Sequence, residues 1–216
     1  MNAPRRHDLV WLNPDADAGS FVAATDNAWF ARNWVKQGRP LVMARQSADQ
    51  SDDTVALGFT QPPMRTRILL QVPRSAIIRH TRPLLLTDTI AYAPQRWREG
   101  MHQLQKVFEQ HHAVARVYGS LSFQAASCVN FLDAASDLDL LIECNPHTQL
   151  GALLAALEAY PLQIPRIDGE VLMPDGWATA WRELASAVRT GGHLRVLAKS
   201  DCEARLIPVD HFFACA

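Results

Sequence analysis

Five consecutive residues, Ser136-Asp137-Leu138-Asp139-Leu140, restrict the fold of this chain more than any other segment. They lead into Leu141-Ile142, so two carboxylates one residue apart stand at the start of an apolar run. Such a run fits a buried strand, whose side chains alternate with period two. Asp137 and Asp139 then share one face, while Leu138 and Leu140 point into the core. Their Cα atoms stand about 6.5–7 Å apart, which lets both carboxylates ligate one divalent cation. Without a counter-charge the pair is costly, because desolvation and mutual repulsion both oppose ionisation.

Upstream, an apolar stretch at residues 113–118 runs into Gly119-Ser120. That pair reads as a tight turn able to hold phosphate: glycine admits a close approach of the backbone, and serine can open a helix with free N–H groups. Downstream, residues 165–173 read as a further strand carrying Asp168. Around these segments helices are expected at 101–111, 150–160 and 177–188, with strands at 194–197 and 204–209 beyond Gly191-Gly192. Residues 122–128 are expected to turn helically. The first half reads differently. Short apolar runs at 9–12, 41–44, 55–59 and 67–72 are separated by Asn13-Pro14, Gly38, a polar run at 47–53 and Pro62-Pro63, as strands joined by turns are. One helix is expected there, at 27–36, with Trp29, Phe30 and Trp34 turned to the core and Gly38 as its stop. Pro83, Pro94 and the charged stretch 96–99 read as a joint. The expectation is an α+β chain of two domains, 1–95 and 96–216, with a cleft for a small molecule beside the acidic sheet.

Composition narrows the function classes. A formal net charge of -1 argues against bulk electrostatic binding of nucleic acid. The four cysteines, Cys128, Cys144, Cys202 and Cys215, lack paired spacing, so free thiols are expected rather than a disulfide framework or a zinc site. No run approaches the ~20 apolar residues of a membrane span, and the start of the chain lacks the apolar stretch of a signal peptide. A cytoplasmic protein that binds neither membrane nor nucleic acid is expected.

The acids and the Gly-Ser turn together fit metal-assisted phosphoryl or nucleotidyl transfer. That chemistry needs carboxylates for Mg²⁺ or Mn²⁺, backbone donors for the departing phosphates, and an aligned acceptor hydroxyl. Asp137 and Asp139 supply the first and Gly119-Ser120 the second. Asp168 is placed either on the same cation or as the base on the acceptor. An isolated Asp-x-Asp is more often a solvated strand end. Here the flanking Gly-Ser and the third acid favour a site, although Asp168, beside Gly169, also suits a turn.

Gly119-Ser120, a short helical segment and then Ser136-Asp137-Leu138-Asp139-Leu140 resemble the signature of the polymerase-beta-type nucleotidyltransferase superfamily. The resemblance implies a nucleotidyltransferase-like mixed sheet with flanking helices, here preceded by a smaller β-rich domain. It also implies a divalent metal on Asp137 and Asp139 and a third carboxylate from a neighbouring strand, for which Asp168 is the candidate. The interval of sixteen residues between Ser120 and Asp137 is longer than in compact members of that superfamily. End to end, the chain looks like the phosphoribosyl-dephospho-CoA transferases of malonate decarboxylase. Arg6-His7-Asp8-Leu9-Val10, Gly38-Arg39-Pro40-Leu41-Val42, Val55-Ala56-Leu57-Gly58 and the stretch from Tyr118 to Asp139 carry that likeness. It implies transfer of 2'-(5''-phosphoribosyl)-3'-dephospho-CoA from 2'-(5-triphosphoribosyl)-3'-dephospho-CoA to a serine of the apo acyl-carrier subunit, with release of pyrophosphate. The alternatives are a nucleotidyltransferase acting on another protein, a metabolite or RNA, and a silent binding module that keeps the fold.

A triphosphorylated donor needs more positive charge than one cation supplies. Arg5, Arg6, Arg39, Arg45, Arg65, Arg67, Arg79 and Arg82 concentrate it in the first half. Arg6 and Arg39 are the leading candidates, since a guanidinium can hold phosphate through two parallel bonds. Trp11, Trp34 or Tyr92 are candidates for an apolar groove around pantetheine and adenine. His111-His112 reads as the end of an exposed helix; Lys199, Asp201 and Arg205, between the last two strands, could touch substrate but read rather as a solvated hairpin.

Overall fold

A computed structural model describes residues 3–16, 22–23, 28–47, 49, 51–61, 66–160, 165–191 and 194–214. Expectations for Asn27, Pro62-Pro63, Arg65, Gly192 and Cys215 lie outside the described residues. Contacts divide the chain into two compact units. The first holds Met1–Pro83 together with Ala126–Phe131 and Asp201–Glu203; the second holds Leu84–Ala125, Leu132–Ser200 and Ala204–Ala216.

The first unit is β-rich. It contains β1 (Leu9–Leu12), β2 (Val22–Ala23), helix α1 (Ala28–Lys36), β3 (Leu41–Met43), β4 (Thr54–Gln61), β5 (Thr66–Pro73) and β6 (Ile77–Thr81). The strands form an antiparallel sheet in the order β2-β5-β4-β3-β1-β6. Its core follows from alternation. Val55, Leu57 and Phe59 of β4 are buried, and they face Val72, Leu70 and Ile68 of β5 across the ladder. Cross-strand apolar pairs of this kind are what hold a sheet in one register. Helix α1 buries Ala31, Trp34 and Val35, and Gly38 ends it at a positive φ of 67°. The Trp34 indole N–H donates to Pro40 O at 2.7 Å, so the ring is packed without an orphaned donor.

Trp29 and Phe30 depart from expectation. Trp29 is 66% exposed and Phe30 37%. Five residues of α-helix turn about 500°, which sets Trp29 some 140° from Trp34. The core takes one of those directions and leaves the other open.

The second unit is a mixed sheet with flanking helices. In chain order it contains β7 (Leu84–Leu85), α2 (Leu86–Thr89), α3 (Gln95–Gln110), β8 (Val114–Val117), α4 (Gly119–Ser127), β9 (Leu138–Glu143), α5 (Leu150–Ala159), β10 (Ile167–Leu172), β11 (Ala178–Ala180), α6 (Trp181–Thr190), β12 (Arg195–Lys199), β13 (Ala204–Pro208) and α7 (Val209–Ala214). The sheet runs β13-β12-β11-β10-β9-β8-β7. Strands β9 and β10 pair in parallel, joined by α5 as a crossover of that kind requires; the other pairs are antiparallel. Leu138, Leu140, Ile142, Ile167 and Val171 point to one face, into a core with Met101, Leu104 and Phe108 of α3 and Leu153 and Leu157 of α5.

Three local expectations are corrected here. Residues 96–99, read as part of a joint, belong to α3, which begins at Gln95 directly after Pro94. A proline immediately before a helix costs nothing there, because its missing N–H has no partner inside the first turn. The helix expected at 177–188 starts only at Trp181, since residues 178–180 form β11 between β10 and β12. His111, read as exposed, is buried, while His112 is exposed and has a φ of 55°.

Candidate active site

Strand register builds the site. Val117 of β8 pairs with Leu140 of β9, and the Tyr118 N–H donates to Asp139 O at 3.0 Å. The next residue, Gly119, therefore leaves the sheet beside Asp139. A Cβ on Gly119 would stand 2.0 Å from Asp139 Oδ2 and 2.8 Å from its Cγ, so only glycine fits under that carboxylate. The φ of Gly119 is 68°, a conformation that side-chain-bearing residues seldom adopt. Ser120 follows in the first turn of α4, whose leading N–H groups have no partner within the helix.

On the other side of β9, register with β10 places Asp168 directly opposite Asp139. Register partners on neighbouring strands share a face and have backbones about 4.8 Å apart. Asp168 is exposed, and its Oδ1 accepts the Gly169 N–H at 2.8 Å. Gly169 is forced too. A Cβ there would lie 1.9 Å from Leu140 O, and its φ is 130°.

Asp137 lies one residue before β9, and the alternation expected from sequence holds across it: Asp137 and Asp139 are half-buried, Leu138 and Leu140 buried. The Leu138 N–H donates to Arg166 O at 2.9 Å, continuing the parallel ladder one step. Arg166 then grips Asp137 with two donors, Nε to Oδ1 at 2.7 Å and a terminal guanidinium nitrogen to Oδ2. Arg166 is held above its ordinary pKa, first by the hydrogen bond to Asp137, then by the charge of Asp137, and further by the charges of Asp168 and Asp139. All three carboxylates therefore act on one guanidinium.

The same face of the sheet carries further ion pairs away from the acids. Arg116 Nε bonds Glu143 at 2.8 Å, and Lys199 Nζ bonds the buried Glu170 at 3.1 Å. The sequence alone does not place Arg166, Glu170 and Lys199 on this face, and Lys199 reads there as part of a solvated hairpin. The signal for Arg166 was the repeat of spacing, Arg166-x-Asp168 over Asp137-x-Asp139, which becomes meaningful once the two strands are known to be parallel. Among the described residues, no three or more His, Cys, Asp or Glu side chains are arranged to hold a metal ion.

Arg6 and Arg39 belong to the first unit. The Arg6 backbone N–H donates to Asp201 Oδ1 at 2.8 Å, and its guanidinium donates to His7 Nε2 at 2.7 Å. Arg39 lies over the Trp34 ring, 4.8 Å from its centroid. Trp11 is covered by Arg79 at 3.6 Å, and Arg82 bonds the buried Asp8 at 2.8 Å. Asp201, expected in a solvated hairpin, thus anchors the start of the chain.

A mixed sheet with Asp-x-Asp entering an inner strand, a glycine-serine helix start on one side and an acid of the parallel neighbour on the other defines a nucleotidyltransferase of the polymerase-beta type. Comparison with known proteins narrows this. Residues 5–83 match the family described as phosphoribosyl-dephospho-CoA transferase MdcG N-terminal domain, and residues 85–210 match its C-terminal domain. Proteins named phosphoribosyl-dephospho-CoA transferase are similar over nearly the whole chain. That of Xanthomonas campestris pv. campestris (strain 8004) is 36% identical over 209 residues, covering 94% of this chain and 93% of the relative. That of Bradyrhizobium diazoefficiens is 34% identical over 205 residues, covering 91% and 87%. That of Pseudomonas putida (strain W619) is 30% identical over 211 residues, covering 96% and 95%. The chain belongs to the phosphoribosyl-dephospho-CoA transferase family. No solved structure matches it.

Proposed function

We propose that the protein transfers 2'-(5''-phosphoribosyl)-3'-dephospho-CoA from its 5''-triphosphate to a serine of the apo acyl-carrier subunit of malonate decarboxylase. The observation that carries this reading is the seat of Asp139: glycine beneath its carboxylate, Asp168 in register beside it, in a chain of this family. The serine oxygen forms a bond to the phosphorus next to the ribose. The bond from that phosphorus to the pyrophosphate breaks, and the serine proton passes to Asp168. N–H groups opening α4 at Gly119-Ser120 receive the distal phosphates, where the helix dipole favours negative charge.

By its chemistry the donor set suits a hard divalent cation, although its acids are not grouped around one point in this structure. It is all oxygen, and the space where a Cβ of residue 119 would stand is taken by Asp139 Oδ2. Asp137 and Asp139 would hold Mg²⁺ or Mn²⁺, which when bound supplies positive charge to the phosphate oxygens, and Asp168 is left as the base. Until then Arg166 serves as the counter-charge of Asp137. Arg6 and Arg39 belong to donor binding in this reading. Cytoplasmic location belongs to it as well, because the thiols of Cys128 and Cys144 suit a reducing compartment. Among the described residues, no helix is long and apolar enough to cross a membrane.

The test incubates the protein with the triphosphoribosyl donor, Mg²⁺ and apo carrier, and reads the carrier by mass spectrometry. A phosphodiester-linked adduct on serine, with pyrophosphate released, is the expected result. Adenylylation of the carrier from ATP without transfer from the specific donor would replace this reading with a nucleotidyltransferase of other substrate.

A further inference from the structure

The first unit carries a cavity of about 380 Å³ at the open side of α1. Trp29 and Asn33 lie four residues apart along that helix, and Gln37, four residues further and just past its end, extends the stripe. Gln61 of β4 and Arg39, just beyond the Gly38 stop, complete the rim. The floor is Trp34 stacked on Phe59, with centroids 4.9 Å apart and planes at 20°. Trp29 is braced edge-on by Phe30 at 5.0 Å and 84°, yet its ring stays largely open to solvent.

An exposed indole costs solubility unless something covers it. A braced ring is a ready platform for a flat partner, because little conformational freedom is lost when one stacks on it. Three carboxamides converge on the same cavity. Each offers a donor and an acceptor, the combination that pairs with the N6 and N7 edge of adenine. The charge on the rim is a guanidinium, fixed over Trp34 and suited to phosphate. The cavity size lies within the ordinary range for small-molecule sites, about 300–1,000 Å³.

We infer that this cavity binds an adenine nucleotide, namely the adenosine end of the dephospho-CoA portion of the donor, with Trp29 stacking the base, the amides reading its edge and Arg39 holding phosphate. The inference rests on the transferase reading for the identity of the nucleotide, and deepens it by assigning the base-recognising residues.

Calorimetry with 3'-dephospho-CoA, AMP and 4'-phosphopantetheine tests it on the full chain. AMP and 3'-dephospho-CoA are expected to bind and compete with each other, and 4'-phosphopantetheine is expected not to displace AMP. Trp29→Ala should weaken both nucleotides about fivefold or more, the lower range for losing a base–aromatic stack. Because Trp29 is exposed, its removal leaves the core intact; Arg39→Gln, which keeps a flat group over Trp34, should also weaken AMP. Unchanged nucleotide affinity in both variants, no AMP binding by the wild type, or displacement of AMP by 4'-phosphopantetheine would each overturn the assignment. Asp139→Asn separates this from the reaction itself: transfer should be lost and dephospho-CoA binding kept. A wild type that transfers normally while both cavity variants bind normally sinks the cavity alone. A wild type that binds nucleotide through Trp29 yet never transfers sinks the transferase reading alone.

Discussion

Gly119 shows how one missing carbon can position a reactive group. A methyl group there would stand 2.0 Å from Asp139 Oδ2, and the backbone would have to keep a φ of 68°. Gly119→Ala is therefore expected to push the carboxylate aside and lower the transfer rate about 10²-fold, as displacements near 1 Å do in other enzymes. Thermal unfolding measured alongside should show a smaller change. Arg166 gives the converse case. It neutralises Asp137 from an exposed position, where an ion pair contributes little. Arg166→Ala should tighten Mn²⁺ binding only a few-fold, read by calorimetry with the metal alone. Cys144 offers a check on burial: desolvation pushes its thiol up to about 12, against a hydrogen bond with Thr148 that pulls it down. A thiol that stays neutral is a poor nucleophile. At pH 8, Cys128 and Cys202 should react with a maleimide while Cys144 stays unlabelled until the chain is unfolded. The raised value also means that the folded state holds this proton longer than the unfolded chain. Its contribution to stability is complete below about pH 9 and falls as pH climbs toward 12.

At the scale of elements, the parallel pair β9–β10 aligns the acids, and Gly169 lets the two strands close. A Cβ at that position meets Leu140 O at 1.9 Å and Leu140 N at 2.6 Å, both backbone atoms that cannot step aside. Gly169→Ala should cost about 1–3 kcal/mol in urea unfolding, and it should also reduce transfer because Asp168 rides on the same strand. The sequence made the acidic strand legible because buried and half-buried residues alternate strictly through Leu138–Leu140. It could not reveal that Asp168 lies opposite Asp139, since register between strands some thirty residues apart is set by packing of the intervening helix. Trp29 failed for a simpler reason. Periodicity identifies a helix but not which of two aromatic directions the core will claim, and residues 178–180 joined the sheet because β10 and β12 both needed a partner. Gly-Ser followed by Asp-x-Asp survived as a pattern because each residue in it answers a local constraint.

The whole molecule is organised less simply than its two family matches suggest. Those matches run contiguously, 5–83 and then 85–210, whereas the first compact unit also takes in Ala126–Phe131 and Asp201–Glu203. Phe131 packs edge-on against Trp34 at 5.9 Å, and Asp201 receives the Arg6 N–H at 2.8 Å while its own carbonyl accepts the Gln46 N–H at 2.9 Å. Asp201→Ala leaves the Arg6 N–H without its acceptor and should cost about 1 kcal/mol, measured by urea unfolding. The exposed Arg5 contact to the same carboxylate adds little to that figure.

This interleaving bears on how the chain is made. During synthesis the first unit's own sheet emerges early, yet Asp201–Glu203, which pack with it, follow only after most of the second unit has been made. A nascent chain stopped inside the second unit would therefore carry all six strands of the first sheet but leave the Arg6 N–H and the Gln46 N–H without the Asp201 oxygens that accept them.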